Sequence, residues 1–175
     1  DIVGFRKKRF ILFTAFIMTA AFGFAKDPCE GFWISVDEKT GKNTAGWEIK
    51  VVDDVLMGTI THTVGRADDE LAEGTKGKGP YKDFPHPGTM SEMKTVGTYW
   101  IYNMKKDAEG KWSGGSIVDP GDGNRYKCKI TFHAADGKKY KVDTLEMRGE
   151  IGMGIGRSQF WKKATEEEAR TVEAE

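Results

Sequence analysis

From Gly31 onward apolar side chains take every second position over short runs, and each run stops at a cluster of Gly, Asp, Asn or Pro. That period reads as strands with one buried face. "GFWISV" (31–36) opens the series. "AGWEIKVV" (45–52) sets Trp47, Ile49 and Val51 on one face. Asp53-Asp54 makes a two-residue hairpin turn, and "VLMGTITHTV" (55–64) returns with Leu56, Ile60, His62 and Val64 sharing a face. An irregular stretch rich in Gly and Pro fills residues 65–97. It is too long for a plain connection and reads as a lid-like or docking loop over one barrel end, with Tyr81, Phe84 or Met93 near the opening. "TYWIYNMKK" resumes the sheet, and "KWSGGSIVD" follows, turned by "PGDGN". "RYKCKITFHA" is the most regular run, with Tyr126, Cys128, Ile130 and Phe132 opposed to Arg125, Lys127, Lys129, Thr131 and His133. "YKVDTLEMRGEIG" changes parity: Tyr140 and Val142 are even, whereas Leu145, Met147 and Ile151 are odd. A bulge near Asp143-Thr144 would account for the switch. "RSQFWKK" is the last strand, and Thr165 with Glu168 forms a capping box for a helical acidic tail, residues 165–175. About eight short strands in meander order predict an all-β, up-and-down antiparallel barrel over residues 26–164, closed so that no sheet edge is left free.

The segment before the strands obeys different rules. Arg6-Lys7-Lys8-Arg9 precedes the apolar run "FILFTAFIMTAAF", and "GFA" ends it with small residues. Residues 1–25 therefore read as a secretory signal peptide cleaved after Ala25, which implies a periplasmic or secreted protein with no stable membrane anchor once cleaved. As an anchor the run is short, with basic residues only on its N-terminal side. Lys26-Asp27-Pro28 before Cys29 is not the small apolar set that lipidation needs, and an opening Asp1 rather than Met leaves room for a start upstream.

Without that leader the chain carries 23 basic and 26 acidic side chains, a balance that argues against nucleic acid. An oxidising compartment would allow Cys29 and Cys128 to pair across a loop of about a hundred residues. The preferred reading leaves both free, Cys128 as a small buried hydrophobe.

Few residues suggest chemistry. His62, His86 and His133 have no spacing that forces them together, so neither a metal nor a cofactor is expected; His62, on an apolar face, reads as a core or cavity group. "GMGIG" (152–156) precedes a strand, so no helix N-terminus is there to hold phosphate, and "DPGDGN" is a hairpin turn without calcium-ligand spacing. Glu146, Arg148 and Glu150 share a strand face that lines either the cavity or the solvated exterior. No nucleophile with a nearby base is evident, and an enzyme is the third choice.

The combination G-x-W (31–33), W-x-G-G-x-I-x-D-P (112–120), Y-x-C-K (126–129), R-G (148–149) and G-R-[ST]-Q-x-W (156–161) resembles the bacterial exported family of domain of unknown function 2147, over nearly all of residues 27–163. The resemblance implies a lipocalin-like barrel with a cavity and supplies no catalytic residues. Relatives often carry a cysteine pair in the long loop, which "GTKGKGPYKDF" lacks. In lipocalin-like barrels the Trp of G-x-W plugs the closed end under an Arg of the last strand; here that implies Trp33 under Arg157, with Gly31 permitting close backbone approach. A guanidinium over an indole face is worth about 0.5–2 kcal/mol.

Two functions compete. One is a binder of a small apolar or amphipathic molecule, with Trp47, His62, Tyr102 and Phe132 around a common cavity and Arg148 as polar anchor. The other is an envelope interaction module with a filled barrel and a docking loop. Inward side chains decide between them: large ones fill an eight-strand barrel, whereas Gly and Ser leave room.

Overall fold

A computed structural model describes residues 25–175, so the leader reading of residues 1–25 lies, but for Ala25, outside the described residues. Eight strands succeed one another as β1 (Gly31–Val36), β2 (Asn43–Val52), β3 (Val55–Thr63), β4 (Tyr99–Ala108), β5 (Lys111–Val118), β6 (Arg125–His133), β7 (Thr144–Gly152) and β8 (Ile155–Ala164). Each pairs antiparallel with the next, and β1 pairs with β8, so the sheet closes as an up-and-down barrel. Among the described residues no helix is long and apolar enough to cross a membrane.

Local chemistry sets the turns. Asp53 and Asp54 both hold positive φ, 51° and 63°, as a two-residue turn matching the strand twist requires. The capping box forms as expected. The Glu168 backbone N–H donates to Thr165 Oγ1 at 3.2 Å, and the Thr165 N–H donates to the Glu168 carboxylate at 2.8 Å. They start the single described α-helix, α1 (Glu166–Arg170). This helix docks on the barrel's outer wall, where Thr61 Oγ1 donates to the Ala169 carbonyl at 2.8 Å. Gly46 makes that seat: a Cβ there would collide with the same carbonyl.

Three expectations about the connections need correction. The parity change in "YKVDTLEMRGEIG" is not a bulge. The strand begins only at Thr144, and Tyr140 and Val142 lie in the β6–β7 loop, where Tyr140 stacks on His133 at 4.4 Å. The long loop, residues 65–97, is irregular apart from two short 3-10 turns, Glu73–Thr75 and Met90–Glu92. Its hydrophobes, however, do not sit over the opening. Phe84 packs on Trp100 and Tyr102, with ring centroids 5.9 and 5.5 Å apart. Tyr81 donates to the Gly123 carbonyl at 2.6 Å and lies under Arg125. The loop thus clads the outer face of β4 to β6, a second small core. It sends only Arg66 and Thr95 to the barrel mouth.

The third correction concerns the plug. Trp33 is fully buried and its indole N–H donates to the Cys29 carbonyl at 2.9 Å, so the chain entering the barrel folds across this end. The cation over its ring is Lys163, with Nζ 4.5 Å from the centroid, and not Arg157. Register gives the reason: Trp33 pairs with Lys163 across the β1–β8 seam. Arg157 lies six residues back along the same inward face, a rise of about 20 Å. Gly31, at φ 120°, opens the way, since a Cβ there would meet Lys163 Nζ at 2.5 Å. That ammonium also donates to the Glu30 carbonyl at 3.0 Å, and burial pushes its pKa down.

Asp27 locks the same end. Its carboxylate accepts from the Cys29 and Gly110 N–H groups at 3.0 and 3.1 Å and pairs with Lys106 at 3.1 Å. Burial pushes this carboxyl up, but those donors outweigh it and hold it below the ordinary 3.8. The folded chain therefore takes up the proton less readily than the unfolded chain. The stabilisation is complete above pH 3.8 and is lost as pH falls through the lower folded value. Asp27→Asn is expected to lower the Tm at neutral pH and to converge on the parent in acid, once the pH has fallen through that lowered folded value. Thermal melts across pH check this; a constant gap down to that acidity would show that the charge is not what matters.

Candidate functional site: a half-filled barrel

The inward faces of the strands divide the barrel along its axis. Toward the plug they are large: Trp33, Leu56, Met104, Trp112, Ile130 and Leu145 are all at most 2 % exposed. Phe132 joins them, edge-on to Trp33 with centroids 6.3 Å apart. Toward the other end the inward residues shrink to Ser35, Ala45, Thr63 and Gly149, and a cavity of about 960 Å³ opens there. Its size falls in the range of small-molecule sites.

The cavity floor is aromatic. Trp47 and Trp161 stack with centroids 4.8 Å apart at 26°. Their polar edges are already satisfied: Trp47 Nε1 donates to Ser35 Oγ at 3.1 Å and Trp161 Nε1 to Gln159 Oε1 at 3.0 Å. Neither ring therefore has a buried donor left for a ligand to satisfy, which suits a floor for apolar atoms. Ile60, Ile117, Tyr126 and Met147 complete the walls. The mouth is polar, with Asp37, Glu38 and Lys39 of the β1–β2 turn, Arg66 and Thr95 of the long loop, and Asp119 of the β5–β6 turn. Arg157 stands there too, paired with Glu38 at 3.0 Å. Apolar at the bottom and charged at the rim, the space suits a molecule with an apolar body and a polar end.

Of the five residues expected to bind a ligand, only Trp47 lines this cavity, and Arg157, expected over the plug, stands at its mouth instead. Phe132 points inward but belongs to the plug. Tyr102 faces outward beneath Phe84, because Asn103 sits at φ 56° as an extra residue between Ile101, paired with Gly58, and Met104, paired with Leu56. His62 is turned out by a similar device. Gly46 pairs with His62 and Trp47 with Ile60, so Thr61 is the extra residue. His62 then meets Asp68 at 2.7 Å on the surface. Arg148 lies on the outer face of β7, held by Glu150 at 2.9 Å and by the Gly154 carbonyl at 2.8 Å. Trp161, Ile60, Tyr126, Met147 and Gln159 were not singled out. The alternation within β6 already placed Tyr126 beside Cys128, and Trp161 shares a parity with Gln159 on β8. Only the barrel register brings them to Trp47.

Each histidine has its own partner. His86 Nε2 accepts from the Tyr99 N–H at 2.8 Å, which requires a neutral ring on that nitrogen, and burial lowers its pKa. His133 meets Glu146 at 2.8 Å, and Ser158 donates to the same carboxylate at 2.9 Å. Here the carboxylate stands between hydroxyl and imidazole. In a hydrolytic triad the imidazole must stand between the other two. Among the described residues no group of His, Cys, Asp and Glu is arranged to hold a metal. Cys29 and Cys128 are both buried free thiols, and burial raises the pKa of each.

A family model described as "Uncharacterized protein conserved in bacteria (DUF2147)" matches residues 31–163. Among solved structures the chain is similar to one titled "Protein HP1028 from the human pathogen Helicobacter pylori belongs to the lipocalin family". The two superpose with a TM-score of 0.59 at 14 % identity, over 79 % of this chain and 84 % of that one. No curated protein matches.

Proposed function

Since the chain belongs to the DUF2147 family of proteins conserved in bacteria and folds as a lipocalin-like barrel, we propose that it is a non-enzymatic binder of a small apolar or amphipathic molecule, working in the periplasm or outside the cell. The observation that carries this reading is the cavity itself, about 960 Å³ with the stacked pair Trp47 and Trp161 as its floor. A filled barrel acting only as an interaction module would need large inward residues at both ends, and Ser35, Ala45, Thr63 and Gly149 are not that. The leader-like pattern of residues 1–25 supports export.

Titration with saturated fatty acids of graded chain length tests it. Tryptophan emission is expected to shift or quench saturably, with a Kd of about 1 μM for the best length. Native purification followed by mass spectrometry is expected to recover an apolar compound. No spectral response at any length, together with no compound recovered, would overturn the proposal.

A further inference from the structure

The three most exposed large apolar side chains among the described residues are Met153 at 100 %, Ile151 at 72 % and Ile155 at 64 %. All three stand on the tip of the β7–β8 hairpin. The tip is well held. Met153 and Gly154 take φ 48° and 74°, a tight turn with both central residues at positive φ. The Arg148 guanidinium braces it by donating to the Gly154 carbonyl at 2.8 Å. Ile151 and Ile155 also line the cavity mouth, so the exposed apolar surface and the way into the cavity are continuous.

We propose that this hairpin tip docks the barrel, mouth first, on a lipid bilayer surface, inserting Met153 and its two isoleucines among the lipids so that an apolar ligand passes between membrane and cavity without crossing water. Area favours lipid over protein. Three such side chains offer on the order of 300 Å² of apolar surface, whereas a stable protein interface takes about 800 Å² from each partner. A bilayer needs only that the side chains reach its apolar layer. Charge sets the mode of attachment. The arginines at the hairpin base are already paired, Arg148 with Glu150 and Arg157 with Glu38, and the rim sets Asp37, Glu38 and Asp119 against Lys39 and Arg66, so the rim has no basic excess for anionic headgroups and attachment comes from apolar insertion.

The inference rests on the cavity reading for its purpose, but its test does not. Cys29 and Cys128 are buried, so a polarity-sensitive fluorophore can be placed selectively on Met153→Cys, or on Asp54→Cys at the opposite end of the barrel. With vesicles of phosphatidylethanolamine and phosphatidylglycerol, the label at 153 is expected to move to the blue and the label at 54 to stay. High salt should leave the shift in place. Ile151→Ser with Ile155→Ser should weaken vesicle binding about tenfold or more. These residues are solvent-exposed, and an unchanged melt will show that the variant is folded. No shift at 153, equal shifts at both labels, or release by salt would overturn the proposal. So would a shift that grows with protein concentration in the absence of lipid, which would assign the tip to a second copy of the chain. Vesicle docking without any response to fatty acids would sink the cavity reading and spare this one.

Discussion

Replacing Trp33 by alanine is expected to cost about 3–5 kcal/mol, the range for deleting a large buried aromatic, and to lower the Tm by about 10 °C. Its indole fills the closed end, anchors the entering chain through the Cys29 carbonyl, and supports Phe132 and Lys163. Part of the loss belongs to Lys163. The ammonium lies over the ring with one further acceptor, the Glu30 carbonyl, so Lys163→Met should couple to Trp33→Ala by about 0.5–2 kcal/mol in a double-mutant cycle. Arg157→Ala combined with Trp33→Ala should be additive within about 0.5 kcal/mol, since Arg157 is tied to Glu38 at the far end. Urea unfolding of the four variants of each pair measures both. Coupling to Arg157 and none to Lys163 would contradict the register of the β1–β8 seam.

The largest effect on binding is expected from Ala45→Trp. Ala45 is an inward residue of the cavity wall, and its partner across β1 is Ser35, so an added indole has nowhere to go but into the open space. Apolar ligands should bind at least tenfold more weakly, about 1.4 kcal/mol or more. Stability should change by no more than the roughly 1–3 kcal/mol of an overpacked site. Isothermal titration beside a thermal melt separates the two. An unchanged affinity in a folded variant would place the ligand outside the barrel.

Much of the frame was legible because a strand announces itself by period two and a turn by its residues. "GFWISV", "RYKCKITFHA", Asp53-Asp54 and the Thr165 cap all fall where local chemistry puts them. The cavity residues were harder, for a physical reason. Period two holds only while the pleat is unbroken, and the extra residues at Thr61 and Asn103 each reverse the facing of their neighbours along the strand. Counting by twos from Leu56 and Ile60 carries His62 inward across the first break, and Tyr102, expected at the cavity, sits beside the second. A bulge needs no special residue, and nothing in "GTITHT" marks one; in "WIYNMK" the one local sign is Asn103, a residue type that tolerates positive φ. The cation over Trp33 failed differently: β8 carries Arg157 and Lys163 on the same inward face, and only the pairing of β8 with β1 says which one reaches the ring. The long loop misled because its isolated hydrophobes did need cover, as expected, but found it against Trp100 and Tyr102 on the wall.

The uneven filling of the barrel has a consequence for how such a protein can change over generations. Large buried side chains fill the plug and clad the wall, among them Trp33, Trp112, Leu145, Trp100 and Tyr102, while the mouth is bordered by turns and small side chains. Substitutions at the mouth therefore draw on a reserve held elsewhere. The shape of the cavity can drift while the closed end, and with it the fold, stays as it is.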